Sequence, residues 1–464
     1  MIDLIGKRIT TISGTEYLLI DIVGQGAQGI VYNESSGNFL IKLFFTSNEI
    51  QASNQVKKIQ WLLQQSYPNR FIMPLEMVEK PYIGYVMKKV KGHLSLNKLL
   101  IPSKEMKFSE WYNNYSGGLR RRLYLGYQIA HSFYILHKEN KAYCDISGNN
   151  ILVAEDITKA SVCMIDIDNL YIPGASKSGI LGTARYMAPE ILNNQMQPDI
   201  LTDDYSLAVI LFELIRVGHP YVGDEIVNGT PEMENDAYKG SYPYVDDENN
   251  GFNSSTQILP SEVVFTNKLK DLFKKTFIAG KFNRLNRATA LDFARSCLEA
   301  SNVLIKCKPC GVWYYPTRKE NNQCICPWCE IGNDIPMYMS FRDSYKIKKD
   351  DNNKQHKAIF SYILRESDNH ITNNYINREV DNLEIQSYFR VAFATDRKKF
   401  YLLNPNNNEI WYIKKGTTKP IEIGTYEKQE LGRGDQIYFS KHSVLNDPDE
   451  NIKGLKILRY AVVM

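Results

Sequence analysis

The chain has 464 residues, 43% of them hydrophobic, which suffices for sizeable cores and, at about 100–200 residues per domain, predicts two to four domains. Its 56 basic and 52 acidic residues leave a net charge of only +4, too small an excess to imply a nucleic-acid or anionic-membrane partner. No apolar run approaches the ~20 residues of a membrane span, and "MIDLIGKRITTISGTEY" has no apolar core behind a basic start, so a cytoplasmic location with reduced thiols is expected.

Residues 15–45 read as strands, apolar and β-branched positions alternating around Gly24, Gly26 and Gly29, with "ESSGN" as a hairpin turn. Lys42 is the only charged residue of the apolar run "FLIKLF". Ile50, Val56, Ile59, Leu62 and Leu63 have helical spacing within residues 48–65, and "YIGYVMKKV" returns to strand. From about residue 118 the period becomes helical, and Arg120–Arg122 reads as a solvated helix start. The strand-like pieces "NNILVA" and "SVCMIDI" follow, then a loop, an apolar helix at 203–216, a polar insertion at 222–258 and helices to about 300. Cys163 and Cys297 read as neutral thiols, whereas five cysteines crowd into residues 307–329. Residues 335–464 break into short strand-like runs with Asn-, Gly- and Asp-rich turns, the pattern of a β-sandwich or barrel.

"GQGAQGIV" lets backbone N–H groups approach phosphates without Cβ interference; alone it fits any glycine-rich hairpin. Lys42 either snorkels to solvent or points at an anion, and the nearby glycine loop favours the anion. In "KAYCDISGNNILV", Asp145 and Asn150 form D-x-x-x-x-N, a carboxylate to orient an attacking hydroxyl and an amide to hold a metal. Asp166, at the end of "SVCMI", is the expected main Mg²⁺ ligand, with Asp168 the ligand in an alternative register.

With "GTARYMAPE" (182–190) and "DDYSLAVILFELI" (203–215), these motifs resemble the protein kinase family in order and spacing over residues 15–300. The resemblance implies ATP held by Gly24, Gln25, Gly26, Gly29, Val31 and Lys42, with Met87 behind the adenine and Lys88–Val90 as the hinge. It implies Asp145 and Lys42 as catalytic residues, with Asn150 and Asp166 on Mg²⁺. It further implies that Arg287 pairs with Glu190, that Asp203 braces the catalytic loop, and that Thr183 lies in the segment meeting the substrate. Cys144 replaces the family's arginine that receives an activation-loop phosphate, so independence of that phosphorylation is expected. Ser147 replaces the lysine usual in serine/threonine kinases, which leaves tyrosine open. The glutamate that normally pairs with the strand lysine is missing from the helix; Glu49 lies early, and Gln51 and Gln55 are the substitutes at hand.

"CKPC" and "CPWC" are two C-x₂-C pairs at zinc-ribbon spacing, giving Cys307, Cys310, Cys326 and Cys329 as ligands of one structural Zn²⁺ and leaving Cys324 able to exchange with Cys326. "LNPNNNEIWYI" (403–413) and "LGRGDQI" (431–437) resemble forkhead-associated domains, with Arg378 and Arg390 as candidate phosphothreonine contacts and "RGD" as turn chemistry.

The expected architecture is therefore α+β: a two-lobed kinase fold (1–90 and 91–303), a Cys₄ zinc ribbon (304–334) and an all-β sandwich (335–464). The expected activity is that of a bacterial-type serine/threonine protein kinase using ATP and Mg²⁺ on a protein substrate, the β domain binding a phosphopeptide or protein partner. The rival expectation is a pseudokinase scaffold that binds nucleotide and recruits partners through ribbon and sandwich.

Overall fold

The computed structural model describes residues 4–171, 182–346, 354–367, 369–376, 386–439 and 457–464. The chain divides into two units, Met1–Cys297 and Leu298–Met464.

In the first unit, strands Arg8–Thr10, Glu16–Gln25, Gly29–Glu34, Phe39–Phe44, Gly84–Lys88 and Pro74–Met77 pair in that spatial order into one antiparallel sheet. Alternate residues point to one face, so Leu19, Ile30, Tyr32, Ile41, Leu43 and Val86 bury together. Gly29 is required where three strands meet, because a Cβ there would collide with the Leu43 carbonyl. The helix Glu49–Leu63 begins at Asn48, whose side chain accepts from the Gln51 N–H, and buries Ile59 and Leu62.

Helices dominate beyond residue 97. Gly118–Lys138 packs against Ile200–Arg216, which is buried along almost its whole length and opens with a reciprocal cap between Asp199 and Thr202. A small sheet of His93–Ser95, Ile151–Ala154 and Val162–Met164 carries a loop before its middle strand and another after its last. These two loops hold most of the candidate site. The polar segment after residue 222 contains the short helices Asp224–Val227 and Pro231–Tyr238.

The expectation of a solvated Arg120–Arg122 run is overturned for two of its residues. Arg121 and Arg122 are buried. The Arg122 guanidinium lies 4.8 Å from the Trp111 ring and 4.4 Å from that of Tyr112. It donates to the carbonyls of Leu99 (2.8 Å) and Leu214 (2.5 Å). Aromatic faces and carbonyls stand in for water around a planar cation, though burial still pushes its pKa down to about 10.

The second unit begins with two small sheets around the cysteine cluster, Ile305–Lys306 with Trp313–Tyr314, and Lys319–Glu320, Gln323–Ile325 and Gly332–Asp334. Next come a six-stranded antiparallel sheet, ordered Lys354–Ile363, Tyr338–Lys346, Ile457–Val463, Gln436–Tyr438, Trp411–Ile413, Ile421–Glu422, and a four-stranded one, ordered Asn369–Thr372, Ser387–Ala394, Lys399–Leu403, Lys428–Leu431. Met339 and Phe341 from the first share a core with Ile371, Phe389, Val391 and Leu402 from the second.

The strand Tyr338–Lys346 gives little signal in the sequence, because Ser340, Asp343 and Ser344 are buried polar residues. Asp343 is satisfied by Arg459 at 2.8 and 3.0 Å. Within "RGD", Gly434 has φ +93° and Asp435 accepts from the Gly432 N–H, the Lys415 N–H and the Tyr412 hydroxyl, as turn chemistry requires. Arg390 lies on Ser387–Ala394, while Arg378 falls outside the described residues. Among the described residues no helix is long and apolar enough to cross a membrane.

Candidate active site

The loop ahead of Ile151–Ala154 is fixed from below by one carboxylate. Asp203, 1% exposed, accepts the backbone N–H of Tyr143 (2.5 Å) and of Cys144 (3.0 Å). Cys144 sits in the left-handed region at φ +69°, a strained conformation for a side-chain-bearing residue that this anchorage holds. Burial pushes the Cys144 thiol well up, so it carries no charge. His137 supports Asp203 from the helix Gly118–Lys138, its Nε2 3.3 Å from Asp203 Oδ2 and its Nδ1 3.6 Å from Asp204 Oδ1.

Asp145 follows directly. Its Oδ2 accepts from the amides of Asn150 (3.0 Å) and Asn169 (3.2 Å). Burial raises its pKa above the ordinary carboxylate value despite the Asn150 hydrogen bond. Among the described residues no hydrogen bond is made to its Oδ1, nor to Asn150 Oδ1, nor to Asp166 Oδ2. The three atoms are oxygens left without a hydrogen bond, the hard donor type that magnesium and a hydroxyl proton both select.

The second loop supplies two aspartates with different environments. Asp166 has φ +55° and a side chain 32% exposed, and its Oδ1 accepts from Lys42 Nζ at 3.2 Å. Asp168 is 1% exposed at its side chain, and its oxygens accept from Lys42 Nζ at 2.9 and 3.1 Å and from the Tyr85 hydroxyl at 2.8 Å. Both oxygens of Asp168 thus accept hydrogen bonds, whereas Asp166 accepts only at Oδ1 among the described residues. Burial opposes charge on both Lys42 and Asp168. Their mutual attraction outweighs it, raising the lysine's pKa and lowering the aspartate's.

Above this centre the glycine loop is open: a Cβ at Gly24 or Gly26 would meet no atom within 4 Å, so the backbone there can be approached closely. Val31, Met87, Val90 and Ile165 pack in one apolar cluster with Leu40 and Cys163, a surface suited to a flat aromatic base. Gln25 ends the strand Glu16–Gln25, and Lys88 ends Gly84–Lys88.

Of the residues singled out from sequence, Lys42, Asp145, Asn150 and Asp166 come together. Asn169, Tyr85 and the pairing role of Asp168 were missed. Asn169 carried a usable signal, a polar residue three positions after Asp166. Tyr85 carried none, being one more aromatic in a strand. Two of the three candidate substitutes for the helix glutamate lie elsewhere: Glu49 is exposed in the first turn, and Gln51 accepts from the Ser47 backbone and hydroxyl at 3.0 and 2.7 Å.

In the second unit the Sγ atoms of Cys307, Cys310, Cys326 and Cys329 lie within 4.8 Å of one another. Cys307–Cys329 is 3.6 Å and Cys310–Cys326 is 3.7 Å. A tetrahedron with Zn–S bonds of about 2.3 Å has edges of about 3.8 Å, so the donor set fits zinc. Cys324 lies outside the cluster, buried on Gln323–Ile325, which resolves the ambiguity with Cys326. The Asn333 amide donates to Cys307 Sγ at 3.4 Å.

A family model described as the protein kinase domain matches residues 17–300. The chain is similar to protein kinase YegI of Escherichia coli K12, 21% identical over 348 residues that cover 71% of this chain and 51% of that protein. It is also similar to serine/threonine-protein kinase dkf-2 of Caenorhabditis briggsae, at 26% over 220 residues (45% of this chain, 17% of that one). Human serine/threonine-protein kinase D2 matches at 25% over 229 residues (47% and 24%). The chain spans about half, or less, of the length of these curated relatives.

Proposed function

The chain belongs to the protein kinase family, and on that premise we propose that it transfers the γ-phosphoryl group of ATP to serine or threonine hydroxyls of a protein substrate. The observation that carries the reading is the convergence of Lys42, Asp145, Asn150 and Asp166 with their reactive oxygens uncommitted. The open glycine loop admits the phosphates, and the Lys42 ammonium binds them. Asp145, oriented by Asn150 and Asn169, keeps Oδ1 for the attacking hydroxyl and accepts its proton. Its raised pKa suits that task. Asp166 and Asn150 would hold magnesium, which when bound neutralises charge on the phosphate oxygens.

The serine/threonine assignment rests on the names of the relatives. Independence of activation-loop phosphorylation rests on the neutral Cys144, which offers a phosphate no cation. We assign the four-cysteine cluster to structural zinc, since four thiolates leave no open position. The β domain we read as a forkhead-associated-like module for a protein partner. The rival, a catalytically silent scaffold, drew on the missing helix carboxylate, and Asp168 supplies a carboxylate to Lys42 from another element.

Transfer of labelled phosphate from ATP to a general protein substrate, by the wild type and by Asp145→Asn, tests the activity. Label on serine and threonine that falls by two orders of magnitude or more in the variant is expected; equal label in both overturns the reading.

A further inference from the structure

Lys42 and Tyr85 are direct cross-strand partners on Phe39–Phe44 and Gly84–Lys88. Both donate to the same oxygen of Asp168, 126 and 83 residues further along the chain. Tyr85 is 1% exposed and Asp168 2%, so this is a buried polar centre in which each oxygen of Asp168 accepts a hydrogen bond. The helix Glu49–Leu63, packed nearby, brings no carboxylate to it; its one acidic residue is the exposed Glu49. Instead it brings a cation, Lys58, whose charge interacts with Asp168 attractively and with Lys42 repulsively.

We infer that Asp168 is the positioning residue of Lys42, doing from the metal-binding loop what a helix carboxylate does elsewhere in kinases. Two hydrogen bonds to Asp168 fix where the Lys42 ammonium points, and the Tyr85 hydroxyl keeps Asp168 from rotating. The remaining hydrogen-bonding direction of Nζ lies toward Asp166, the partly exposed carboxylate. The D-x-D pair thus divides its work: Asp166 stays open to metal, while Asp168 is spent on the lysine. The helix contributes charge of the opposite sign, Lys58 attracting Asp168.

This inference rests on the kinase reading, so the test has a readout independent of turnover. Asp168→Asn keeps the shape and removes the charge. Expected are a fall of about 100-fold in kcat/KM for ATP, the scale of a misplaced catalytic group, and a dissociation constant for a fluorescent ATP analogue raised about tenfold or more. Asp168→Glu, which restores the carboxylate, recovers part of the loss, whereas a merely structural role is served as well by the isosteric asparagine. Tyr85→Phe, which alters no charge in the working range, is expected to give a smaller loss in the same direction and serves should Asp168→Asn not fold. Wild-type kcat/KM and nucleotide affinity in a folded Asp168→Asn, or in Tyr85→Phe when that is the variant used, overturn the inference. A wild type that binds the analogue without transferring phosphate sinks the kinase reading instead, and the affinity comparison still decides the role of Asp168.

Discussion

Arg287 places two guanidinium nitrogens on the two oxygens of Glu190, at 2.7 and 2.8 Å, in a parallel fork. The same guanidinium donates to the carbonyls of Gly280 (3.0 Å) and Leu201 (2.9 Å) and lies 5.1 Å from the Tyr205 ring. It ties the Ala188–Pro189–Glu190 turn to the start of the long buried helix. Arg287→Ala strands a mostly buried carboxylate and two carbonyls, and such losses cost about 3–5 kcal/mol. Urea unfolding monitored by tryptophan fluorescence measures the change; a loss below about 1 kcal/mol contradicts the account. Lysine at 287 restores the charge but not the fork and recovers only part of the loss.

His137 and Asp204 form a proton-sensitive pair beneath the loop that carries Asp145. Burial lowers the pKa of His137, but the hydrogen bond to Asp203 and the charge of Asp204 overcome it and leave it raised. Burial pushes Asp204 up to about 7. A histidine with a raised folded pKa contributes stability that is full below its unfolded value and lost as pH rises through the folded one. A carboxyl raised by burial loses stability in the same direction. The thermal midpoint of the wild type should therefore fall, relative to the double variant His137→Gln/Asp204→Asn, as pH rises from about 4 to about 7, the range over which Asp204 ionises, and go on falling above pH 6.5 as His137 loses its proton. The slope is about 1.4 kcal/mol per proton per pH unit. Parallel curves for the two proteins would refute the assignment.

Zinc analysis gives a direct check on the second unit. The purified chain should carry close to one zinc per molecule. Cys326→Ser should lose it together with part of the thermal stability, since structural zinc sites commonly supply ~10 kcal/mol or more of binding energy to folding. Cys324→Ser should retain the metal, because Cys324 is a buried thiol outside the cluster. Equal zinc in both variants would mean that the donor set is wrong.

What the sequence revealed and what it hid follow from how far apart the cooperating residues are. Asp145 and Asn150 share one short loop, so their spacing alone brings them to one place. The two C-x₂-C pairs are legible for the same reason. Asp168 meets Lys42 across 126 residues, and its sequence neighbourhood offers only a second aspartate beside a better-placed one. Arg121 and Arg122 mislead because charge runs are normally solvated; nothing in "LRRRLYL" announces the rings of Trp111 and Tyr112 lying over a guanidinium. The strand Tyr338–Lys346 hides its period for a related reason, its buried polar side chains being satisfied by partners far along the chain, Asp343 by Arg459.

The grip of Asp203 on the catalytic loop runs entirely through main-chain N–H groups. Position 144 is thus held by its backbone. A substitution there leaves both hydrogen bonds of Asp203 available, and its cost is set by how the new side chain fits this half-buried, left-handed position.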